Sequence, residues 1–328
     1  MVKVAHVAST YGMIALLIFA GAASAEGVEP EKSIPAPWLG SNISYSNTIS
    51  ALTLDPSAEP DYNPYYSMTF GLAPRWRFNR LLYTALSFSL SREITQADAQ
   101  TQDGEIWPSD LKLVVGIPAQ SLGFGDIKLG SKLTATTPTS PVAQAQSLIL
   151  GLSPSLSLSK TFKVLQGLTM AYGGSARFNF HEFTTAGRDA PTIADCRGLQ
   201  CAELVNTGVR NAWFQQAHTM SISLGLSSAW SVGTNGGVYV SHLHDSTAVD
   251  GVSNTPIEGT DIRYAVSYGL ELGWQARKGV ALGLGAATFN PQRAPNTEFY
   301  RPYFNRYTQI YLDLRIGFDA FVPAQNKG

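Results

Sequence analysis

Residues 262–274 read Ile262-Arg263-Tyr264-Ala265-Val266-Ser267-Tyr268-Gly269-Leu270-Glu271-Leu272-Gly273-Trp274, and this stretch decides the fold. Its even positions hold Ile, Tyr, Val, Tyr, Leu, Leu and Trp, while its odd positions hold Arg, Ala, Ser, Gly, Glu and Gly. Only a period of two separates these sets onto opposite faces, so the stretch is a strand; a helix would scatter both around its circumference. It is also longer than the roughly nine to eleven residues a tilted strand needs to cross a bilayer. The segment 310–319 repeats the pattern, with Ile310, Leu312, Leu314, Ile316 and Phe318 on one face. Tyr311, Asp313, Arg315, Gly317 and Asp319 take the other.

Ten further segments read the same way, near 39–51, 65–77, 82–91, 110–117, 126–136, 147–159, 168–180, 217–230, 237–244 and 279–288. Residues 237–244 show no clear face, because Val238 and Val240 compete with Tyr239 and Leu243. The intervening connections alternate long and short. Short turns fall at Phe78-Asn79-Arg80, 118–125, 160–167, Ser231–Gly236 and Ala276-Arg277-Lys278, and the longest loop is 181–216. Transmembrane barrels have short periplasmic turns and longer outer loops. The reading is therefore an all-β chain folded as a transmembrane, antiparallel, up-and-down β-barrel of about twelve strands. Trp38, Trp76, Trp230 and Trp274 all fall at its periplasmic end, where an interfacial aromatic girdle belongs.

Met1–Ala25 has Lys3 near its start, an apolar run from Met13 to Ala23, and Ala23-Ser24-Ala25 as a small-x-small cleavage site. That pattern predicts a cleaved signal peptide over 1–25. A periplasmic leader over 26–38, an outer-membrane barrel over 39–322 and a tail over 323–328 would follow. The expected location is the outer membrane of a Gram-negative cell. Without 1–25 the chain keeps 22 basic and 24 acidic residues, which excludes a strongly basic nucleic-acid binder. The two cysteines, Cys196 and Cys201, share the longest loop, and in an oxidising compartment they are expected to form a disulfide.

Over almost all of its expected mature length the chain resembles outer-membrane barrel channels as a class. Gly123-Phe124-Gly125-Asp126-Ile127-Lys128-Leu129-Gly130 is similar to the Gly-Asp-x-x-Leu stretch of the phenol-degradation-pathway outer-membrane family. The class resemblance implies a terminal aromatic signal read by the barrel-assembly machinery. Phe318 and Phe321 come near that position, and Val322–Gly328 runs past them.

The less apolar face of each strand is the lumen wall, built mostly of Ser, Thr, Gly and Ala. Small side chains do not fill a twelve-strand interior. They suit passive or substrate-selective diffusion of small solutes, with no cofactor expected. The lumen face also carries Lys112, Lys128, Lys132, Arg177, Arg263 and Arg315, against Glu271, Asp313 and Asp319. One reading pairs these charges in cross-strand ladders, such as Arg315 with Glu271 or Arg263 with Asp313. The other takes the cationic surplus as a mild preference for anions. The six long loops hold 17 acidic and 7 basic residues, among them Asp55, Glu59, Asp61, Asp98, Asp103, Glu105 and Asp110. A solvated surface bridged by divalent cations, facing lipopolysaccharide and outer-membrane lipid, accounts for that excess. His181, His218, His242 and His244 lie at outer strand ends near Glu182, Asp245 and Asp261. Such a cluster is a candidate metal site or hydrolase rim site, although strand parity sends His181 inward and His218 outward. A surface hydrolase and a loop-based adhesin or receptor are the alternatives to a channel.

Overall fold

The computed structural model describes residues 36–54, 65–95, 104–123, 125–188, 196–197, 200–201, 205–245, 260–294 and 296–321. The expected signal peptide, most of the leader, the tail and the tips of the acidic loops, including Asp55, Glu59, Asp61, Asp98 and Asp103, lie outside these residues.

One antiparallel sheet runs through fourteen segments and closes on itself. Two of them, Arg75–Arg77 and Ile106–Pro108, are continuations of longer strands, so the wall has twelve. In chain order these are β1 (Asn42–Ser50), β2 (Tyr66–Ala73, resuming at Arg75–Arg77), β3 (Tyr83–Glu93), β4 (Leu111–Ser121), β5 (Ile127–Thr137) and β6 (Leu148–Phe162). There follow β7 (Leu168–His181), β8 (Ala212–Gly225), β9 (Trp230–Leu243), β10 (Ile262–Arg277), β11 (Val280–Pro291) and β12 (Gln309–Gly317). Each strand pairs with its sequence neighbours, and β1 closes the ring against β12 from Asn42↔Gly317 to Ser50↔Gln309. Closure leaves no open edge in the wall, which lipid would leave unsatisfied. Both breaks occur at prolines, Pro74 and Pro108, which cannot donate to the ladder.

The register fixes the faces. Glu271, Gly233, Gly285 and Tyr311 are brought together on the inside, since the Tyr311 hydroxyl donates to Glu271 Oε2 at 2.9 Å. The alternate positions point to lipid, and Leu270 (50% exposed), Leu284 (53%) and Leu312 (50%) show that side to be open and apolar. At the periplasmic end Trp230 stacks on Trp274, ring centroids 6.1 Å apart, with Trp76 also exposed there.

The strand read at 217–230 occupies 212–225, and the segment 237–244 is the outer half of a strand that begins at Trp230. Residues 231–236 are therefore wall rather than turn. The turn is Leu226–Ala229, where Ser227 Oγ accepts from the amides of Ala229 and Trp230. Val238 and Val240 share the lipid-facing parity, while Tyr239 faces inward against Phe289, centroids 5.0 Å apart. The last strand ends at Gly317, and Phe318–Phe321 forms a single 3-10 turn.

Candidate functional site in the barrel lumen

Strand parity delivers Lys112 on β4, Lys128 and Lys132 on β5 and Arg177 on β7 to one sector of the lumen wall. Lys112 feels the charges of both Arg177 and Lys132, with Asp110 the compensating carboxylate. Asp110 is also engaged by the Ser140 amide at 3.0 Å. Arg177 lies flat on the wall. A Cβ on Gly151 would come within 2.9 Å of its Nη2, so the glycine provides the space. Its Nε donates to Asn179 Oδ1 at 2.7 Å. Asn179 Nδ2 donates to Gln215 Oε1, and Gln215 Nε2 to Ser241 Oγ, which carries the chain of bonds across β7, β8 and β9.

The opposite sector is built differently. Tyr311 is only 4% exposed and spends its hydroxyl on Glu271. Gly285 is its counterpart of Gly151, since a Cβ there would meet the Tyr311 ring at 2.4 Å. Asp313 and Arg315 stand on β12 facing Ser46 and Ser44 of β1. Ser46, Thr48 and Ser50 are buried, so this side of the interior is packed. Along the basic sector Lys128, Lys132 and Ser157 are exposed. Further toward the outside Thr136, Ser67, Ser91 and Ser267 are buried, so the accessible lumen narrows toward the outer end.

Three expectations change. The ladders Arg315–Glu271 and Arg263–Asp313 do not form among the described residues. Glu271 is taken by Tyr311, while Arg263 Nη2 turns to the outer rim and donates to the Arg210 carbonyl at 3.3 Å. Asp319 is not in a strand, because the chain leaves the sheet at Gly317; from the closing turn its carboxylate lies over the inward face of Gly317, where a Cβ would meet Oδ1 at 2.8 Å. The four histidines do not share a site. His181 and His244 meet edge-on at 5.6 Å on the inner rim, His181 also contacting the carbonyls of Gln146 and Ala212 through Nδ1 and Nε2. His218 is exposed on the lipid face, bonded to the Tyr172 hydroxyl at 2.7 Å, and His242 makes tilted ring contacts there with Trp213 and Phe214. Asp245 raises the His244 pKa, against the burial that lowers it. Among the described residues no three His, Cys, Asp or Glu side chains converge as a metal would require.

Two features escaped the sequence reading. Arg75 sits on the inward parity of β2, its guanidinium 3.7 Å over the Tyr83 ring. The odd-numbered phase of Ser67, Thr69 and Gly71 carries on to it and could have found it. Buried Arg210 pairs with Asp261 at 2.8 Å on the outer rim. The loop 182–211 leaves the barrel as a hairpin, Thr185–Arg188 against Val205–Arg210, and Cys196 stands directly opposite Cys201 in the backbone register.

No family model and no curated protein matches the chain. Among solved structures it is similar to the COG4313 outer membrane channel from Pseudomonas putida F1, at 12% identity and TM-score 0.49, over 89% of this chain and 100% of that one. The KdgM porin gives 10% identity and TM-score 0.42, over 84% and 98%. The NanC porin gives 7% and 0.40, over 84% and 98%. The fold itself defines the class: an outer-membrane-type β-barrel of twelve strands.

Proposed function

We propose that the barrel is an outer-membrane channel for passive or substrate-selective diffusion of small solutes, with a mild preference for anions set by Lys128 and Lys132. The observation that carries this reading is the asymmetry of the lumen. Its solvent-exposed wall is the sector holding Lys128, Lys132 and Ser157, whereas the carboxylate sector is packed and Glu271 is occupied by Tyr311. In a confined, low-dielectric passage the charges nearest the permeating solute dominate its barrier. Lys112 and Arg177 continue the cationic wall toward the narrow outer half. Side chains lying over glycine, as Arg177 does on Gly151, keep the cross-section free while leaving their charge in place.

The test is single-channel conductance of the purified, folded chain in a planar bilayer, followed by the reversal potential in a salt gradient. A channel with anion preference supports the reading. Absence of conductance at every voltage, from a barrel shown to be folded, would overturn it.

A further inference from the structure

The connection between β11 and β12, residues 292–308, does not rise away from the barrel. It folds down over the outside of the wall. Tyr303 rests on Tyr268, centroids 5.5 Å apart, and its hydroxyl meets Thr234 Oγ1 at 3.0 Å. Tyr268 and Thr234 occupy lipid-facing positions of β10 and β9. Thr234 already donates to the Gly269 carbonyl at 3.0 Å, so the tyrosine is the donor between them. Thr288 and Asn290, lipid-facing on β11, are each 1% exposed because this strap covers them. Asn305 Nδ2 donates to Asn290 Oδ1 at 3.3 Å, fixing the strap to the wall. Thr234 stands four residues above Trp230 of the periplasmic girdle. That is roughly 10 Å up an apolar band about 25 Å tall, for a strand tilted about 40°. The Tyr303 hydroxyl therefore reaches about the bilayer midplane, and Asn305, held on Asn290 eight residues above the girdle in register, lies in the outer leaflet.

Irregular backbone at that depth has to satisfy its own polar groups. Asn305 is the hub that does so. Its Nδ2 also donates to the Arg301 carbonyl at 2.9 Å, its Oδ1 accepts the Tyr307 amide at 2.8 Å, and its carbonyl accepts the Thr308 amide at 2.9 Å. Its own amide donates to Thr308 Oγ1 at 2.7 Å. Tyr303 holds φ at 62°, a left-handed conformation rare for a bulky side chain and kept here by its two wall contacts.

What the strap turns outward is specific in character. Phe299 (64% exposed) and Phe304 (57%) face away from the wall, and Arg293, Arg301 and Arg306 are exposed beside them. Arg293 lies 5.0 Å over the Phe299 ring. The segment holds three arginines against Glu298 alone, while every other outer connection that carries charge is net acidic. Aromatic rings beside guanidinium groups at a bilayer boundary match apolar chains below and phosphate above.

We propose that residues 292–308 form a binding site for a phosphorylated glycolipid of the outer leaflet, with Arg301 and Arg306 on its phosphates and Phe299 and Phe304 among its acyl chains. The occupant is a lipid. Free phosphate and a second copy of this chain, whose acidic loops would also attract arginine, are the competing outcomes.

Native mass spectrometry of the full, folded chain in detergent tests this with diphosphoryl lipid A and its dephosphorylated counterpart as probes. The expected result is retention of diphosphoryl lipid A at least tenfold stronger than of the dephosphorylated form, with no displacement by inorganic phosphate. Arg301→Gln with Arg306→Gln should abolish that preference while leaving conductance unchanged. Equal retention of the two lipids, displacement by inorganic phosphate, undiminished preference in the double variant, or a wild-type dimer that the variant dissolves would each overturn the proposal. The comparison of lipids on the wild-type chain requires no variant to fold.

Discussion

The two sides of the lumen use the same trick to opposite ends. On β6 and β7 a glycine lets Arg177 lie against the wall, and the neighbouring Lys128 and Lys132 stay in contact with solvent. On β11 and β12 a glycine lets Tyr311 lie against the wall, and its hydroxyl then engages Glu271 in a buried contact. One sector displays charge; the other absorbs it. Counting lumen charges from a sequence gives both sectors equal weight, but permeation responds to those left facing water.

Reversing the displayed charge has the largest expected effect. Lys128→Glu with Lys132→Glu should move the reversal potential in a salt gradient several-fold in permeability ratio toward cations. A cation-selective wild type whose potential this change leaves untouched would mean that the acidic loops govern permeation. Releasing the absorbed charge is the milder converse. Tyr311→Phe removes the donor held by Glu271 and should shift selectivity the same way by a smaller amount. Loss of a hydrogen bond to a charged group costs about 1.5–3 kcal/mol, to be read from urea unfolding. Gly151→Leu sharpens the other half: a side chain there collides with Arg177 and lifts it into the lumen, so conductance should fall while anion preference rises.

Two smaller effects concern the rim. Cys196 and Cys201 are directly opposed in an antiparallel register, where Cα separations of about 4.5–5.5 Å suit a disulfide. Thiol titration of native protein should find none free, and two free thiols would refute the bridge. Its small ring confines little unfolded-chain entropy, about 2 kcal/mol, so reduction should speed hydrogen exchange in 185–210 more than it lowers Tm. The His244 pKa is lowered from its ordinary 6.5, first by burial and then by His181. A group that resists protonation in the native state stabilises it above its unfolded pKa. That contribution declines as pH falls from about 6.5 through the lower native value. Exchange at the inner rim should accordingly quicken on mild acidification, and His244→Asn should flatten the response.

Alternation made the barrel legible where each face has its own chemistry, as in β10 and β12. It failed where glycine erased one face. Ser231-Val232-Gly233-Thr234-Asn235-Gly236 reads as a turn, yet it is wall. Gly236 is overlain by Tyr268 from β10, and Gly237 by Ser267 and Tyr239. Tyr268 and Ser267 are remote in sequence, so a local reading sees only flexible residues and puts a turn where the strand runs on. In the register Lys112, Lys128, Lys132, Arg177 and Glu271 all share the inward parity. Parity could not show that Glu271 would be claimed by a tyrosine forty residues away, or that the sheet would end two residues before Asp319. The strap was invisible for another reason. A loop folded against lipid and a loop held in water have the same irregular pattern, and only the wall contacts tell them apart.

The ring is sealed by nine register pairs between its first and last strands. Until Gln309–Gly317 has been made and delivered, β1 and β11 both present unpaired amides and carbonyls, each costing several kcal/mol if exposed to hydrocarbon. Eleven strands can be ordered by their neighbours in sequence, but the seam joins residues more than 250 apart and pays the largest loop-closure entropy in the molecule. Biogenesis is thus all-or-nothing at the level of the chain. Translation must finish and the final strand must find the first before any part of the wall is stable in a membrane, and a nascent barrel has to be sheltered until then.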